Sequence, residues 1–539
     1  MPDTLPSDPQ QRALRRVVIA GGGTAGWMAA AAMSKLLGRH LQITLVESDE
    51  IGTVGVGEAT IPSLVTFHRL LEIDEAAFMA ATQATIKLGI AFEHWRDVDR
   101  HYIHSFGHAG TDHWSAGFQH FWLKGQQRGV ARDFGDYCLE LRAAQEGRFA
   151  HLPNGGMNYA YHLDAGLYAR FLRRFSEGFG VTRIEGRIGQ VETDAESGFL
   201  TALTLQDGTR VEGDLFLDCT GLAGLLIGKT LGVGSDDWSR WLFADSALAV
   251  QTEAVGPPVT YTRSRADQAG WMWRIPLQHR VGNGIVYSSR YMDQDSARAV
   301  LERNLTGRAL TEPRPLRVTP NQRHRVWEKN CVALGLASGF LEPLESTNIH
   351  LIQRGIIRLL QTFPQVINAV DIAEYNRQAA QEITHIRDFV ILHYHATDRR
   401  DTPFWRDCAA MDIPDSLRHR VELFRQSGRV FHQANELFAE NSWVQVMLGQ
   451  GIVPQQHHPV ADLMGDAELS RFLDTIHTRV EAALVRLPAH ADFLQRYCPA
   501  PPPPEPAARL PQLVGLMEDP PALAEQLHPV AQRIGDVHC

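Results

Sequence analysis

Hydrophobic patterning begins near Arg15. Val17-Val18-Ile19-Ala20 is a short apolar run with no polar alternation, which predicts a strand buried on both faces. It runs directly into Gly21-Gly22-Gly23-Thr24-Ala25-Gly26. Residues 27–37, rich in Ala and Met, then predict a helix, and 41–46 (LQITLV) a second buried strand. A strand, a glycine turn, a helix and a strand are the opening of a doubly wound sheet.

Further along, residues 164–178 (DAGLYARFLRRFSEG) predict an amphipathic helix with Asp164 near its start. Three strand-like stretches follow at 187–192, 200–205 and 210–218, and Asp207-Gly208 supplies a turn between the last two. From about 245 to 290, alternation of apolar and polar residues predicts more sheet. After 349 the pattern turns helical, with segments at 349–363, 381–397, 415–440 and 467–486. At 498–506 (CPAPPPPEP) prolines stop both helix and central sheet, and a short tail follows. The expected class is α/β: a doubly wound domain with an inserted antiparallel sheet and a mainly helical C-terminal region.

Composition narrows the function. A chain of 539 residues suggests roughly three to five domain-sized units. Lys and Arg total 52 against 62 Asp and Glu, a net charge of −10. That argues against a general affinity for nucleic acid or anionic membrane, both of which reward clustered positive charge. The 44% hydrophobic and 21% charged content is that of a folded chain with ample core. None of the six cysteines forms a CxxC pair, so neither a structural zinc nor a thioredoxin-like site is expected. With no signal-like leader and no apolar run of membrane length, a reducing cytoplasm is the expected location.

The glycine segment carries the first chemistry. GxGxxG alone is a weak signal, but here a strand precedes it, a helix follows, and Glu47 ends the next strand 21 positions after Gly26. Gly21 permits the turn, Gly23 lets the backbone approach a pyrophosphate, and Gly26 lets helix and strand pack. The helix N-terminus faces the phosphates and Glu47 accepts from a ribose. Residues 213–221 (GDLFLDCTG) are a distant strand ending in Asp and Gly, typical of FAD folds, and no second GxGxxG follows a strand. The expectation is an FAD protein of the glutathione-reductase type that obtains electrons from elsewhere.

Four further segments carry a resemblance. They are Gly57-Glu58-Ala59-Thr60-Ile61-Pro62, Ala84-Thr85-Ile86-Lys87-Leu88-Gly89-Ile90, Gly270-Trp271-Met272-Trp273-Arg274-Ile275-Pro276 and Leu341-Glu342-Pro343-Leu344-Glu345-Ser346-Thr347. Taken singly, the tryptophans read as core, Lys87 as a solvated lysine and Glu345 as a helix-start carboxylate. In this order and spacing the sequence resembles the FAD-dependent halogenases of the tryptophan-halogenase family: a flavin strap, the active-site lysine region, WxWxIP and EPLEST. The likeness runs from about 17 to 355, more weakly to 455.

The resemblance implies a chemistry. Reduced FAD from a separate flavin reductase, with O₂ and chloride or bromide, yields hypohalous acid. Backbone amides of Thr347 and Asn348 hold the halide; many relatives have Gly where Asn348 stands. Lys87 then takes the oxidant, as a haloamine or through a hydrogen bond, and both forms stay open. Glu345 stabilises the arenium intermediate and takes its proton, and Ser346 positions Glu345 or the oxidant. Flavin contacts are implied at Gly21, Gly23, Thr24, Ala25, Gly26, Glu47, Ala59, Thr60, Ile188, Leu336 and Ile349. Aromatic walls for an electron-rich substrate are expected at His104, Phe106 and Trp443, with Phe404-Trp405 as further candidates. The segment around Trp443 lacks the acidic and paired-aromatic arrangement that grips free tryptophan, so indole, a phenol or a larger aromatic is expected.

The alternatives are a flavin-dependent aromatic hydroxylase on the same fold, which has no use for Lys87, and a flavin-binding protein without activity. No metal is expected. A homodimer is a guess from how common that symmetry is. The expected units are an FAD-binding core at 15–355, a helical substrate-side region at 356–497, and the proline-rich break and tail at 498–539.

Overall fold

The computed structural model describes residues 13–51, 57–153 and 156–501. The central strand Arg16–Ala20 pairs in parallel with Gln42–Glu47 on one side and Leu215–Asp218 on the other. Thr182–Glu185 and Cys331–Ala333 extend this parallel sheet outward, and Trp327–Glu328 closes one edge antiparallel. Val17 to Ala20 are at most 1% exposed, as a strand covered on both faces requires. Helix Thr24–Leu37 packs on the sheet through a continuous buried stretch from Gly26 to Ser34. It starts three residues before the predicted 27–37, because Thr24 to Gly26 already take helical backbone on leaving the glycine turn.

Helix Ala165–Gly178 is capped by Asp164, whose carboxylate accepts from the Leu167 amide at 2.9 Å. The Asp207-Gly208 turn joins antiparallel strands Leu200–Leu205 and Arg210–Glu212, with Gly208 at a φ of +87°. The stretch 210–218, read as one strand, is two. Arg210–Glu212 stays in a three-stranded sheet, and Leu215–Asp218 crosses to the parallel sheet. The break falls at Gly213, where a Cβ would sit 2.8 Å from Val18, and at Asp214, whose carboxylate accepts from the amides of Arg15 and Arg16.

A second, seven-stranded sheet is the inserted antiparallel layer, with one parallel pairing between Tyr261–Ala266 and Gly89–Glu93. Gly270–Pro276 lies inside it, between Tyr261–Ala266 and Arg280–Tyr287. Helices Ala369–His395, Pro403–Ala410, Asp415–Ser427 and Glu440–Gly449 contribute to the hydrophobic core on this sheet. The helix predicted over 415–440 stops at Ser427, because Gly428 adopts the left-handed conformation at φ +65° and its N–H bonds Phe424 O. An irregular stretch then leads to Glu440.

The core around the parallel sheet also receives Ile356, Leu359 and Tyr375, and Leu484, Leu487, Phe493, Leu494 and Cys498 from the end of the described chain. Cys138, Cys219, Cys331, Cys408 and Cys498 are buried free thiols. Cys539 and the tail from 502 lie outside the described residues. Among the described residues, no helix is long and apolar enough to cross a membrane and no group of three or more His, Cys, Asp or Glu could hold a metal ion.

Candidate active site

The three fingerprint glycines are required for three different reasons. Gly21 has a φ of +106°, and a Cβ there would lie 2.3 Å from Cys219 O. A Cβ on Gly26 would lie 1.9 Å from Gly21 O. Among the described residues, a Cβ on Gly23 would meet no atom within 4 Å; it would point into open space. That space is a cavity of about 340 Å³ lined by Gly23, Thr24, Ala25, Glu58, Leu336 and Ile349, among others. A side-chain-free cradle at a helix N-terminus fits the pyrophosphate of a dinucleotide.

Glu47 sits over the same turn. Its Oε1 accepts from Arg183 Nε at 2.6 Å, its Oε2 lies 3.3 Å from Trp27 Nε1, and a Cβ on Gly22 would collide with Oε2. Arg183 is a partner the spacing argument did not reveal.

Of the expected flavin contacts, Gly23, Thr24, Ala25, Leu336 and Ile349 line this cavity; Ala59, Thr60 and Ile188 are placed as follows. In the strap strand Gly57–Ala59, Glu58 lines the cavity, whereas Ala59 packs with Ile275 and Leu277, because neighbouring strand residues face opposite sides. Thr60 is engaged with Tyr161: its hydroxyl donates to the Tyr161 carbonyl at 2.8 Å and accepts from the Tyr161 amide at 2.9 Å. Ile188 opens a strand of the three-stranded sheet and packs against the cluster containing Val18, Ala20 and Val46. That sheet is separate from the strands that carry the cradle.

Lys87 ends the short strand Thr85–Lys87, buried throughout and paired to Ala160–Asp164. Its Nζ donates to Thr60 O at 2.9 Å and to Ser346 Oγ at 2.8 Å, and lies 5.2 Å from the centre of the Phe106 ring. Burial pushes its pKa down to about 7, with Glu345 opposing the shift. Ser346 holds a left-handed φ of 60°, unusual for a residue with a Cβ. The turn it makes puts Ser346 against Lys87 and Asn348 on the cavity. Helix Asn348–Gln361 begins at once, with Thr347 as its N-cap. The amides of Thr347 and Asn348 therefore lie at a helix N-terminus, where negative charge is favoured.

Glu345 is 1% exposed. His104 Nδ1 lies 2.9 Å from its Oε2 and 3.1 Å from its Oε1, and His393 Nε2 lies 2.7 Å from Oε1. The His393 contact is short but angled away from an aligned hydrogen bond. Burial raises the Glu345 carboxyl, yet the two imidazoles outweigh it and hold its pKa down to about 2. A buried lysine near neutrality beside an ionised carboxylate is a pair pushed toward different roles. His104 was expected as a substrate wall. The structure turns its Nδ1 to Glu345 and leaves Nε2 buried with no partner among the described residues. No local pattern in the sequence marked His393 or Tyr102, whose hydroxyl lies 2.9 Å from His393 Nδ1.

The other carboxylate of the 341–347 motif, Glu342, is linked to the WxWxIP strand. Trp271 Nε1 donates to Glu342 Oε2 at 2.9 Å, and Tyr394 donates to the same oxygen at 2.7 Å. Burial raises the Glu342 pKa to about 7. Trp273 points the other way, against the Ala59–Ile275–Leu277 cluster.

The aromatic surroundings differ in part from expectation. Trp443 is buried, donates to Glu436 Oε1 at 2.8 Å, and has one face covered by Arg420 at 4.1 Å. Phe389 meets its edge at 4.7 Å and stacks on Phe438 at 3.8 Å, and both phenylalanines approach His104. Phe389 and Phe438 were not singled out by the sequence. Phe404 and Trp405 belong to the core beside Tyr394, and Trp405 also packs on Trp95.

Comparison with known proteins gives a consistent result. The tryptophan halogenase family model matches residues 16–466. Tryptophan 6-halogenase SttH of Streptomyces toxytricini is 33% identical over 522 residues, covering 89% of this chain and 97% of that protein. Among solved structures, Xcc4156, a flavin-dependent halogenase from Xanthomonas campestris, is 87% identical with a TM-score of 0.91, covering 92% of this chain and 100% of that one. BrvH, a flavin-dependent halogenase from Brevundimonas sp. BAL3, is 45% identical with a TM-score of 0.87, covering 91% and 100%.

Proposed function

The chain belongs to the tryptophan halogenase family, and on that premise we propose that it halogenates an electron-rich, indole-type aromatic through Lys87 and Glu345. The observation that carries this reading is the buried Lys87 amine. It is held by Thr60 O and Ser346 Oγ, across the 343–348 turn from the nucleotide-fitting cavity. Bound reduced FAD supplies, with O₂ and chloride or bromide, the hypohalous acid that this lysine receives.

The remaining roles belong to the chain. The Thr347 and Asn348 amides hold the halide at their helix N-terminus. Two of the three ammonium donors of Lys87 are used by Thr60 and Ser346, leaving one for the oxidant; the neutral amine instead offers its lone pair to the halogen of hypohalous acid, so that an N–halogen bond forms, the O–halogen bond breaks, and an amine proton leaves with the hydroxide as water. Either form fixes the electrophilic halogen in place, so position on the ring follows from orientation. Glu345, kept ionised by His104 and His393, stabilises the arenium cation and accepts its proton. Phe106 and the group around Phe389 and Phe438 give the aromatic its walls.

A separate flavin reductase delivers the reduced cofactor. The SttH relative is named a tryptophan halogenase; for this chain indole, a phenol or a larger aromatic is the proposed class, with the Trp443 indole already committed to Glu436 and Arg420. The test supplies reductase, NADH, FAD and either halide to a panel of indole, tryptophan and phenols. Chlorine or bromine isotope patterns on indole or phenol support the proposal. Hydroxylated products without halogen would establish the hydroxylase instead. Turnover of tryptophan far above indole would overturn the substrate assignment.

A further inference from the structure

Glu345 works as a base only while ionised, and a buried carboxylate keeps its charge only through its donors. His393 lies beside that carboxylate, its Nε2 2.7 Å from Oε1, and burial pushes its pKa down. A neutral imidazole has a single N–H, so it helps Glu345 only in the tautomer whose proton is on Nε2. We propose that Tyr102 is a positioning residue for the halogenation step: its hydroxyl donates to His393 Nδ1 and thereby fixes the Nε2–H tautomer that faces Glu345. This rests on the reading of Glu345 as proton acceptor.

The geometry leaves little freedom. Nε2 lies 2.7 Å from a carboxylate oxygen, though not aligned with it, and the negative field of Glu345 favours the ring proton on that nearer nitrogen. Nε2 therefore carries the hydrogen, and Nδ1 must accept one. The Tyr102 hydroxyl, 2.9 Å away, supplies it. The imidazole cannot readily turn over, because Phe92 stacks on it at 4.4 Å and Phe389 meets it edge-on at 5.5 Å. Tyr102 is equally fixed. Its ring stacks on Phe92 at 5.0 Å, and the backbone at Gly449 packs so close that a Cβ there would lie 2.5 Å from the ring. The other titratable groups that act on this pair are Glu345, on both, and His104, on His393; Lys87 acts on Glu345. Fixing a histidine tautomer from its second nitrogen is a common device around reactive groups.

The test uses the full chain loaded with FAD and labelled with [¹⁵N]histidine. His393→Gln assigns the His393 ring signals. In the wild type they must report Nε2–H, and in Tyr102→Phe a mixture of tautomers. The rate of product formation then falls ~3–10-fold, with KM for indole unchanged and the acid limb of the kcat profile moved to higher pH. In a His393→Gln background, Tyr102→Phe adds no further loss; an independent loss there would mark a merely structural tyrosine and overturn the proposal. An Nδ1–H tautomer in the wild type, or no change in Tyr102→Phe, also overturns it. A changed tautomer with an unmoved pH profile keeps the tautomer assignment and overturns the reading of Glu345 as base.

Discussion

Ser346 Oγ lies 2.8 Å from Lys87 Nζ, a contact between residues 259 positions apart in the chain. It joins the end of a buried strand to a left-handed turn, and it is the point where the two motifs become one site. Ser346→Ala removes a hydrogen bond to a charged or partly charged amine, worth about 1.5–3 kcal/mol. Halogenation should fall by roughly 10–100-fold while FAD still binds, since Ser346 is not on the cradle. Steady-state product formation together with FAD fluorescence titration checks both halves.

Lys87 also has a stability signature. Its folded pKa is about 7, below the roughly 10.4 of an unfolded lysine. Between those values the unfolded chain binds more protons, so wild-type stability rises with pH across that window; below pH 7 the cost of the buried charge is fully present. Lys87→Met has no such titration. Its melting temperature should exceed the wild type near pH 7, by an amount on the order of 1–4 kcal/mol in stability, and the advantage should shrink by pH 9.5. Calorimetry at the two pH values reads this directly.

The fingerprint glycines separate folding from cofactor binding. Gly26→Ala drives a Cβ to 1.9 Å from a backbone oxygen, so the protein should lose both FAD and thermal stability. Gly23→Val meets no atom of the described residues at its Cβ and fills the cradle instead. It should melt within about a degree of the cofactor-free wild type, a surface-like effect, while FAD affinity drops at least ~10-fold. Equilibrium dialysis and thermal melts distinguish the two.

Glu342 titrates in the opposite sense to an ordinary carboxylate. Burial raises its pKa to about 7 from 4.5, so its contribution to stability is fully present below pH 4.5 and is lost as pH rises through 7. Glu342→Gln keeps an acceptor for Trp271 and Tyr394 without the charge. Its stability relative to wild type should improve between pH 5 and pH 8, by roughly 2–3 kcal/mol. Chemical denaturation at both pH values measures the difference, and a constant gap would contradict it.

The parts legible in the sequence were those written in local pattern. The apolar run at 17–20, the glycine turn, the Asp164 cap and the Asp207-Gly208 hairpin each lie within a few residues of their cause. The breaks at Gly213 and Gly428 were not legible, because apolar and amphipathic periodicity continues across both and only the backbone shows the change of direction. Glu58, which the motif reading did not name, lines the cavity from the strap strand. His393 and Tyr102 could not be found at all: they are 291 residues apart, and what unites them is a carboxylate on a third element. Trp443 and Trp405, expected from the sequence as aromatic walls, each donate the indole N–H to a protein acceptor, Glu436 and Asp267 O, partners that no local pattern marks.

The central claim is that Lys87 delivers the halogen made in the FAD cavity to an aromatic held beside Glu345. The most direct measurement is Lys87→Ala with reductase, FAD, bromide and indole, following NADH consumption, free hypohalous acid with a chemical trap, and brominated indole by mass spectrometry. The account predicts that NADH is still consumed and the trap is halogenated, while brominated indole falls by more than about 100-fold. Brominated indole formed at the wild-type rate, or a hydroxylated indole in its place, would contradict it.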